Sequence, residues 1–152
     1  MNDIRVISAA QTYPLRGTVL RPGQAASESI YPHDNDEGTV HFGAFEGDAV
    51  IGIASLFVKP LPEGLHAHID KDTNQWQLRG MAVDERYRGQ GHGRQLIDVC
   101  LSYVCEQDGR LLWCNARVSA QGFYEAAGFK TEGEEFYIPL IGPHYVMWRL
   151  VG

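Results

Sequence analysis

A chain of 152 residues, 44% apolar and 21% charged, has the size and make-up of one globular domain, 1–152, rather than of two domains or a disordered segment. Its formal net charge of -6 argues against nucleic acid or an anionic membrane as partner, since either calls for a basic field. It has neither an apolar run near the length of a membrane span nor a charged-then-apolar leader, so a cytoplasmic location is expected.

In chain order, residues 4–7 read as a short strand. Ser8-Ala-Ala-Gln11 forms a capping box, so a helix should follow and stop before Pro22-Gly23, with Pro14 close enough to its start to be tolerated. Residues 23–38 are rich in Gly, Ser, Asp, Asn and Pro and read as an irregular surface segment. Residues 39–45 and 49–59 alternate like strands around a Glu46-Gly47-Asp48 hairpin turn. A loop over 60–73 leads to a strand over 75–83. The helix over 91–107 carries Leu96, Ile97, Cys100, Leu101 and Val104 as one apolar stripe and ends at Asp108-Gly109. Residues 111–116 make an apolar strand, 119–127 a short helix closed by Gly128, and 129–138 and 145–150 two last strands around a connection at 139–144. This order describes a mixed sheet with helices on its faces, an α/β or α+β sandwich.

Three cysteines without CxxC or Cys/His spacing read as reduced thiols, and no metal is expected. His66-Ala-His68 lacks a third ligand and reads as a solvated loop.

The most informative stretch is Gln75-Trp-Gln-Leu-Arg-Gly-Met-Ala-Val-Asp-Glu-Arg-Tyr-Arg88-Gly-Gln-Gly91-His-Gly93-Arg94. A strand leads through a turn of arginines and glycines into a helix. A helix start offers N–H groups with no intrahelical partner, and its dipole favours anions. Glycines there let a phosphate approach, and Arg86, Arg88 and Arg94 add charge against the background sign. The turn reads as a pyrophosphate seat. The glycines at 89, 91 and 93 miss the dinucleotide spacing, and no Lys-Ser/Thr pair follows as in a nucleoside-triphosphate loop.

The spacing R-x-x-G-x-G, on a strand ending Met-Ala-Val-Asp and opening an amphipathic helix, resembles the pyrophosphate loop of the GNAT superfamily of acetyl-CoA-dependent N-acetyltransferases. A second block, Asn115-Ala-Arg-Val-Ser-Ala-Gln-Gly-Phe-Tyr124-Glu-Ala-Ala-Gly-Phe129, resembles the superfamily's later strand and short helix. The resemblance implies a mixed, mostly antiparallel sheet of six or seven strands flanked by helices on both faces. It implies acetyl transfer from acetyl-CoA to a primary amine, by direct attack in a ternary complex held where two neighbouring strands splay.

The resemblance also implies roles. Main-chain groups of Met81, Ala82 and Val83 would bond the pantetheine amides and the acetyl carbonyl, one N–H stabilising the oxyanion. Arg88, Gly89, Gln90, Gly91, His92, Gly93 and Arg94 would wrap the pyrophosphate, with His92 contributing its backbone. Asn115 would bond the pantetheine, and Tyr124 would protonate the departing thiolate. A phenol titrating near pH 10 stays protonated at neutral pH and suits that task. The bland alternatives are a strand-end residue for Asn115 and a packed aromatic for Tyr124, which sits at the edge of a core face formed by Ala120, Phe123 and Ala127. Arg117 departs from the pattern, standing where many relatives carry asparagine.

Candidates for the general base are His144, Glu85, His41 and Glu135; His144 lies where the family's acceptor pocket is often walled. Cys114 reads as a buried strand thiol rather than a nucleophile. Residues 15–38 and 60–74 are expected to line the acceptor site with Arg16, Arg21, Asp34, Asp36, Glu37, His66 and His68. These suit a polar small-molecule or peptide amine without selecting one. The closing strands leave a homodimer open. The rival readings are a non-catalytic acyl-CoA-binding sensor or structural module, and a different nucleotide-binding α/β protein.

Overall fold

The computed structural model describes residues 3–65, 70 and 73–152. Seven strands form one sheet in the order β1-β2-β3-β4-β5-β7-β6, flanked by helices. They are β1 (Asp3–Ile7), β2 (Val40–Glu46), β3 (Ala49–Val58), β4 (Gln75–Val83), β5 (Leu111–Arg117), β6 (Lys130–Ile138) and β7 (Gly142–Leu150). The helices are α1 (Ala9–Leu15), α2 (His92–Glu106) and α3 (Gln121–Ala126). The β1–β2, β2–β3, β5–β7 and β6–β7 ladders are antiparallel, and β4–β5 is parallel. This is the mixed, mostly antiparallel sheet that the resemblance implies. The chain divides into two compact units, Met1–Phe57 with Arg79–Cys100, and Val58–Leu78 with Leu101–Gly152.

In the first unit the capping box forms as its spacing demands. Ser8 Oγ accepts from the Gln11 N–H at 3.3 Å, and the Gln11 side chain accepts from the Ser8 N–H at 2.8 Å. The helical run stops before Pro22, but it is not α throughout. From Arg16 to Leu20 it widens into a π-helix, ending with the Arg21 N–H on the Arg16 carbonyl at 2.9 Å. Ile7, Leu15, Ile53 and Ala82 form an apolar core, with Val19, Leu20, Phe45 and Val50 packed against it. Leu96 and Ile97, from the predicted stripe, are fully buried.

In the second unit Leu111, Trp113, Val146 and Trp148 pack with Leu61, Leu65 and Phe136. Both indoles place their polar edge: Trp113 Nε1 donates to the Lys59 carbonyl at 2.8 Å, and Trp148 Nε1 to Glu132 Oε2 at 3.0 Å. The end of α2 is set by Asp108, at φ 60°, and by crowding at Gly109, where a Cβ would lie 2.3 Å from Val104 Cγ1. The last strand starts earlier than the sequence suggests, at Gly142 instead of 145, and takes in Pro143 and His144. Proline is accepted because β7 pairs there with β6 alone, Tyr137 opposite Pro143; pairing with β5 begins at His144, opposite Arg117.

Candidate active site

The predicted phosphate turn lies in the first unit. Asp84 caps a one-turn 3-10 helix, Glu85–Tyr87, accepting from the Arg86 N–H. Gly89 and Gly91 follow with φ of 78° and 86°, and a Cβ on either would meet nothing within 4 Å. These glycines are kept by backbone conformation rather than by crowding, and the cradle over them is open. The first hydrogen bond leading into α2 runs from the Gln95 N–H to the Gly91 carbonyl at 3.1 Å, so the His92 and Gly93 amides precede the helix's own ladder. His92 is half-buried, its ring edge-on to Tyr87, and its Nδ1 is buried without a hydrogen-bond partner among the described residues. An open cradle of amides with an orphaned polar atom beside it fits a phosphate-bearing ligand.

The three arginines are not equivalent. Arg86 makes a two-point pair with Asp84, Nε to Oδ1 at 3.2 Å and Nη2 to Oδ2 at 3.0 Å. That side-chain bond holds the Asp84 carboxyl below its usual range and raises Arg86. Arg94 pairs with Asp98 one turn along α2 at 3.2 Å. Arg88 meets no carboxylate among the described residues; its Nε donates to the Val83 carbonyl at 3.2 Å, bracing the turn against β4. Arg88 is therefore the arginine of this turn held in no ion pair among the described residues, with the carboxylate of Glu85 exposed on the same turn.

Met81, Ala82 and Val83 close β4 after a distortion. Gly80 has φ of 62°, where an added Cβ would stand 3.3 Å from both Arg16 Nε and Tyr31 Cε2. The parallel ladder with β5 covers Gln75 to Leu78 against Leu111 to Cys114 and goes no further. Of the three, Ala82 is buried and Met81 and Val83 are half-buried. Glu85 is exposed on its short turn.

The remaining candidates belong to the second unit. Asn115 is exposed and is the first β5 residue past the β4 ladder, not the end of its strand. Tyr124 is 8% exposed and Phe123 39% exposed, so these two exchange places relative to the expected core face, of which Ala127 is buried as expected. The run opens with a 3-10 turn, Val118–Ala120, and three residues per turn shift the phase of everything after it. Tyr124 lies edge-on to Phe123 and Phe129, with ring centroids 5.2 and 5.4 Å away. His144 is 3% exposed and stacked on Phe136. Its Nδ1 lies 2.7 Å from the Gly142 carbonyl, so that nitrogen carries the proton and Nε2 is the basic atom of the neutral ring. Glu135 is exposed on β6.

His41 and Arg16 take parts the sequence did not suggest. Arg16 is fully buried, its two Nη atoms bonded to Asp34, the Ser29 carbonyl and Ser55 Oγ. His41 Nδ1 meets Ser55 Oγ at 2.6 Å and Nε2 meets the Asp34 carbonyl at 2.9 Å. Both ring nitrogens are thereby occupied in a buried lattice. Of the other expected lining residues, Arg21 is half-buried, Asp36 and Glu37 are exposed, and His66 and His68 lie outside the described residues. Burial pushes the Cys114 thiol far above its ordinary value, which disfavours a thiolate nucleophile. No cluster of metal-ligating side chains occurs among the described residues, and none of their helices is long and apolar enough to cross a membrane.

Known proteins resemble this chain in sequence and fold. The profile of the acetyltransferase (GNAT) family matches residues 9–129. The uncharacterized N-acetyltransferase YitI of Bacillus subtilis (strain 168) is 36% identical over 149 residues, covering 98% of this chain and 96% of its own. Among solved structures, ElaA of Escherichia coli superposes with a TM-score of 0.78 at 19% identity, covering 98% of this chain and 99% of its own. An aminoglycoside 6'-N-acetyltransferase complexed with coenzyme A does so with a TM-score of 0.73 at 13% identity, covering 97% of this chain and 96% of its own. At such identities the two structures speak for the fold alone, while the family profile and the full-length relative carry the assignment: the chain belongs to the GNAT family of acetyltransferases.

Proposed function

We propose that residues 1–152 act as one N-acetyltransferase domain that moves the acetyl group of acetyl-CoA to a primary amine by direct attack in a ternary complex. The observation that carries this reading is the strand–turn–helix unit from Met81 to Arg94: an open glycine turn with two positive φ angles, ahead of the first bond of α2. The coenzyme A complex of the aminoglycoside acetyltransferase fold-mate is consistent with it.

Acetyl-CoA supplies an activated thioester, and the chain's own groups do the rest. The amides from Gly89 to Arg94 and the charge of Arg88 hold the pyrophosphate. Main-chain groups of Met81, Ala82 and Val83, past the point where the β4 ladder to β5 stops, align the pantetheine and acetyl carbonyl; a fixed N–H there counters charge as it develops on oxygen. Asn115 adds a pantetheine contact. Tyr124, buried, gives its phenolic proton to the departing sulfur. His144 is the favoured base, because the Gly142 carbonyl fixes the tautomer that leaves Nε2 basic. Glu85, exposed on its turn, is the second choice.

The test is calorimetric titration of the folded protein with acetyl-CoA, CoA, ATP and NAD. Saturable binding selective for the two CoA species is expected. Folded protein that binds none of them, or prefers ATP or NAD, overturns the reading.

A further inference from the structure

Three guanidinium groups surround one buried tyrosine ring. The Cζ atoms of Arg16, Arg79 and Arg21 lie 3.8, 4.4 and 5.5 Å from the Tyr31 ring centroid, and Tyr31 is 6% exposed. The carboxylate among them, Asp34, is already engaged. Its Oδ2 accepts from Arg16 Nη1 and the Tyr31 N–H, and its Oδ1 from Arg16 Nη2. Arg16 is thus paired, and Arg21 and Arg79 meet no carboxylate among the described residues.

Arg79 carries the sharper imbalance. It is half-buried on β4, over the Tyr31 and Phe57 rings, and makes no hydrogen bond or ion pair among the described residues. Burial, and then the like charges of Arg21 and Arg16, pull its pKa down against the opposing effects of Tyr31 and Asp34. Partial burial strips water from this guanidinium at some cost, while none of its nitrogens is among the fully buried unpartnered atoms, so its N–H donors stay open to an incoming acceptor. Ring faces offset part of that cost through cation–π attraction, but they satisfy none of the donors. The site stands in a chain of net charge -6, so it is a local focus of positive potential. Gly80, next to Arg79, is held at φ 62° against Arg16 and Tyr31, which fixes the strand beside the cluster. Met81 is two residues from Arg79, about 7 Å along a strand.

The geometry points to an oxyanion of the acceptor as the missing partner: Arg79, with Arg21, receives a carboxylate or phosphate borne by the amine that is acetylated. The proposal rests on the acetyltransferase reading above and deepens it. A guanidinium fork matches either oxyanion in two-point fashion, whereas a polyamine or other cationic acceptor would meet like charge. The acceptor is accordingly an amino-acid-like or phosphate-bearing amine.

The experiment compares matched amines at saturating acetyl-CoA: the standard α-amino acids against their α-carboxamides, O-phosphoethanolamine against ethanolamine, and 1,4-diaminobutane. An oxyanion-bearing amine should exceed its neutral partner at least tenfold in kcat/KM, and the two arms tell carboxylate from phosphate. Arg79→Gln should abolish the preference by raising KM, with acetyl-CoA affinity unchanged; Arg79→Lys should restore part of it. Preference for the neutral amines or the diamine, or a ratio indifferent to Arg79→Gln, overturns the proposal. Titration of sodium acetate and inorganic phosphate into 15N-labelled protein reads the site without turnover. A saturable shift of the Arg79 Nε–H resonance, assigned by its loss in Arg79→Gln, supports the proposal, and a flat response to both anions overturns it. Calorimetry with acetyl-CoA on the same sample separates the two failures: absent acetyl-CoA binding sinks the transferase reading, whereas intact binding with neutral-amine preference sinks only this one.

Discussion

The Arg16 guanidinium and the Asp34 carboxylate meet as a two-point ion pair in which the side chains are 0% and 2% exposed. Around them Ser55 and His41 close a chain of hydrogen bonds: Arg16 Nη2 donates to Ser55 Oγ, the Ser55 hydroxyl serves His41 Nδ1, and His41 Nε2 donates to the Asp34 carbonyl. This lattice ties the π-helical turn at Arg16 to β2 and β3.

Removing one partner strands the other charge in the interior. Asp34→Asn or Arg16→Met should each cost about 3–5 kcal/mol of stability. Urea unfolding of the single variants and of a doubly apolar Arg16→Met/Asp34→Leu variant checks this. The double variant should lose less than the sum of the single losses, and strict additivity would contradict a coupled pair.

At Gly91 the φ of 86° and the open space above it separate strain from crowding. Gly91→Val places a β-branched residue where L side chains are disfavoured, costing about 1–3 kcal/mol. It also projects a side chain into the phosphate cradle. Acetyl-CoA affinity should fall at least tenfold, a loss of about 1.4 kcal/mol in binding. Unchanged affinity in a folded variant would detach this turn from the cofactor.

Tyr124→Phe deletes one hydroxyl from a buried ring and leaves its aromatic neighbours in place. If the phenol is the general acid, turnover should drop roughly 100- to 10,000-fold with acetyl-CoA affinity retained. A variant that turns over normally would return Tyr124 to a packing role. Steady-state kinetics beside calorimetry distinguishes the two.

Burial raises the Cys100 and Cys114 thiols above the ordinary value, whereas Cys105 is exposed. In the unfolded chain neither thiol is buried, and both titrate at about pH 8.5. Their contribution is therefore complete below pH about 8.5 and is lost as pH rises toward the folded values, because the unfolded state releases protons that the native state keeps. Stability should decline by up to about 1.4 kcal/mol per pH unit for each thiol above that point. Urea midpoints from pH 8 to 10 should slope less in a Cys100→Ala/Cys114→Ala variant, and an equal slope would refute the assignment.

Local signals explain what was legible beforehand. The Ser8/Gln11 capping box, the Gly47 turn and four residues of the helical stripe, Leu96, Ile97, Cys100 and Val104, depend on neighbours in sequence and appear where their spacing predicts, while Leu101, the fifth, is half-buried. Gly89 and Gly91 were readable because a turn with positive φ admits few other residues. The exchange of Phe123 for Tyr124 on the buried face was not readable, because a single 3-10 turn ahead of α3 reset its phase. Nor was the early start of β7, where Pro143 argued for a loop and pairing with β6 prevailed.

By itself the sequence determined the class of fold through its periodicity, the family through two motif blocks that resemble it, and the glycine turn through residues that tolerate positive φ. Only the tertiary structure decided which charges are spent and which are available. Arg16, Arg21, Arg79, His41 and Asp34 look alike as polar residues scattered through the chain. Folding pairs the Arg16 Nη atoms with Asp34 and seats His41 against Ser55 and the Asp34 carbonyl, with Arg16 Nε buried and unpartnered among the described residues, and it leaves Arg79 half-buried without an acceptor among them. Pairing of buried charge depends on partners such as Ser55, distant in sequence from Arg16, and no local pattern encodes that distance.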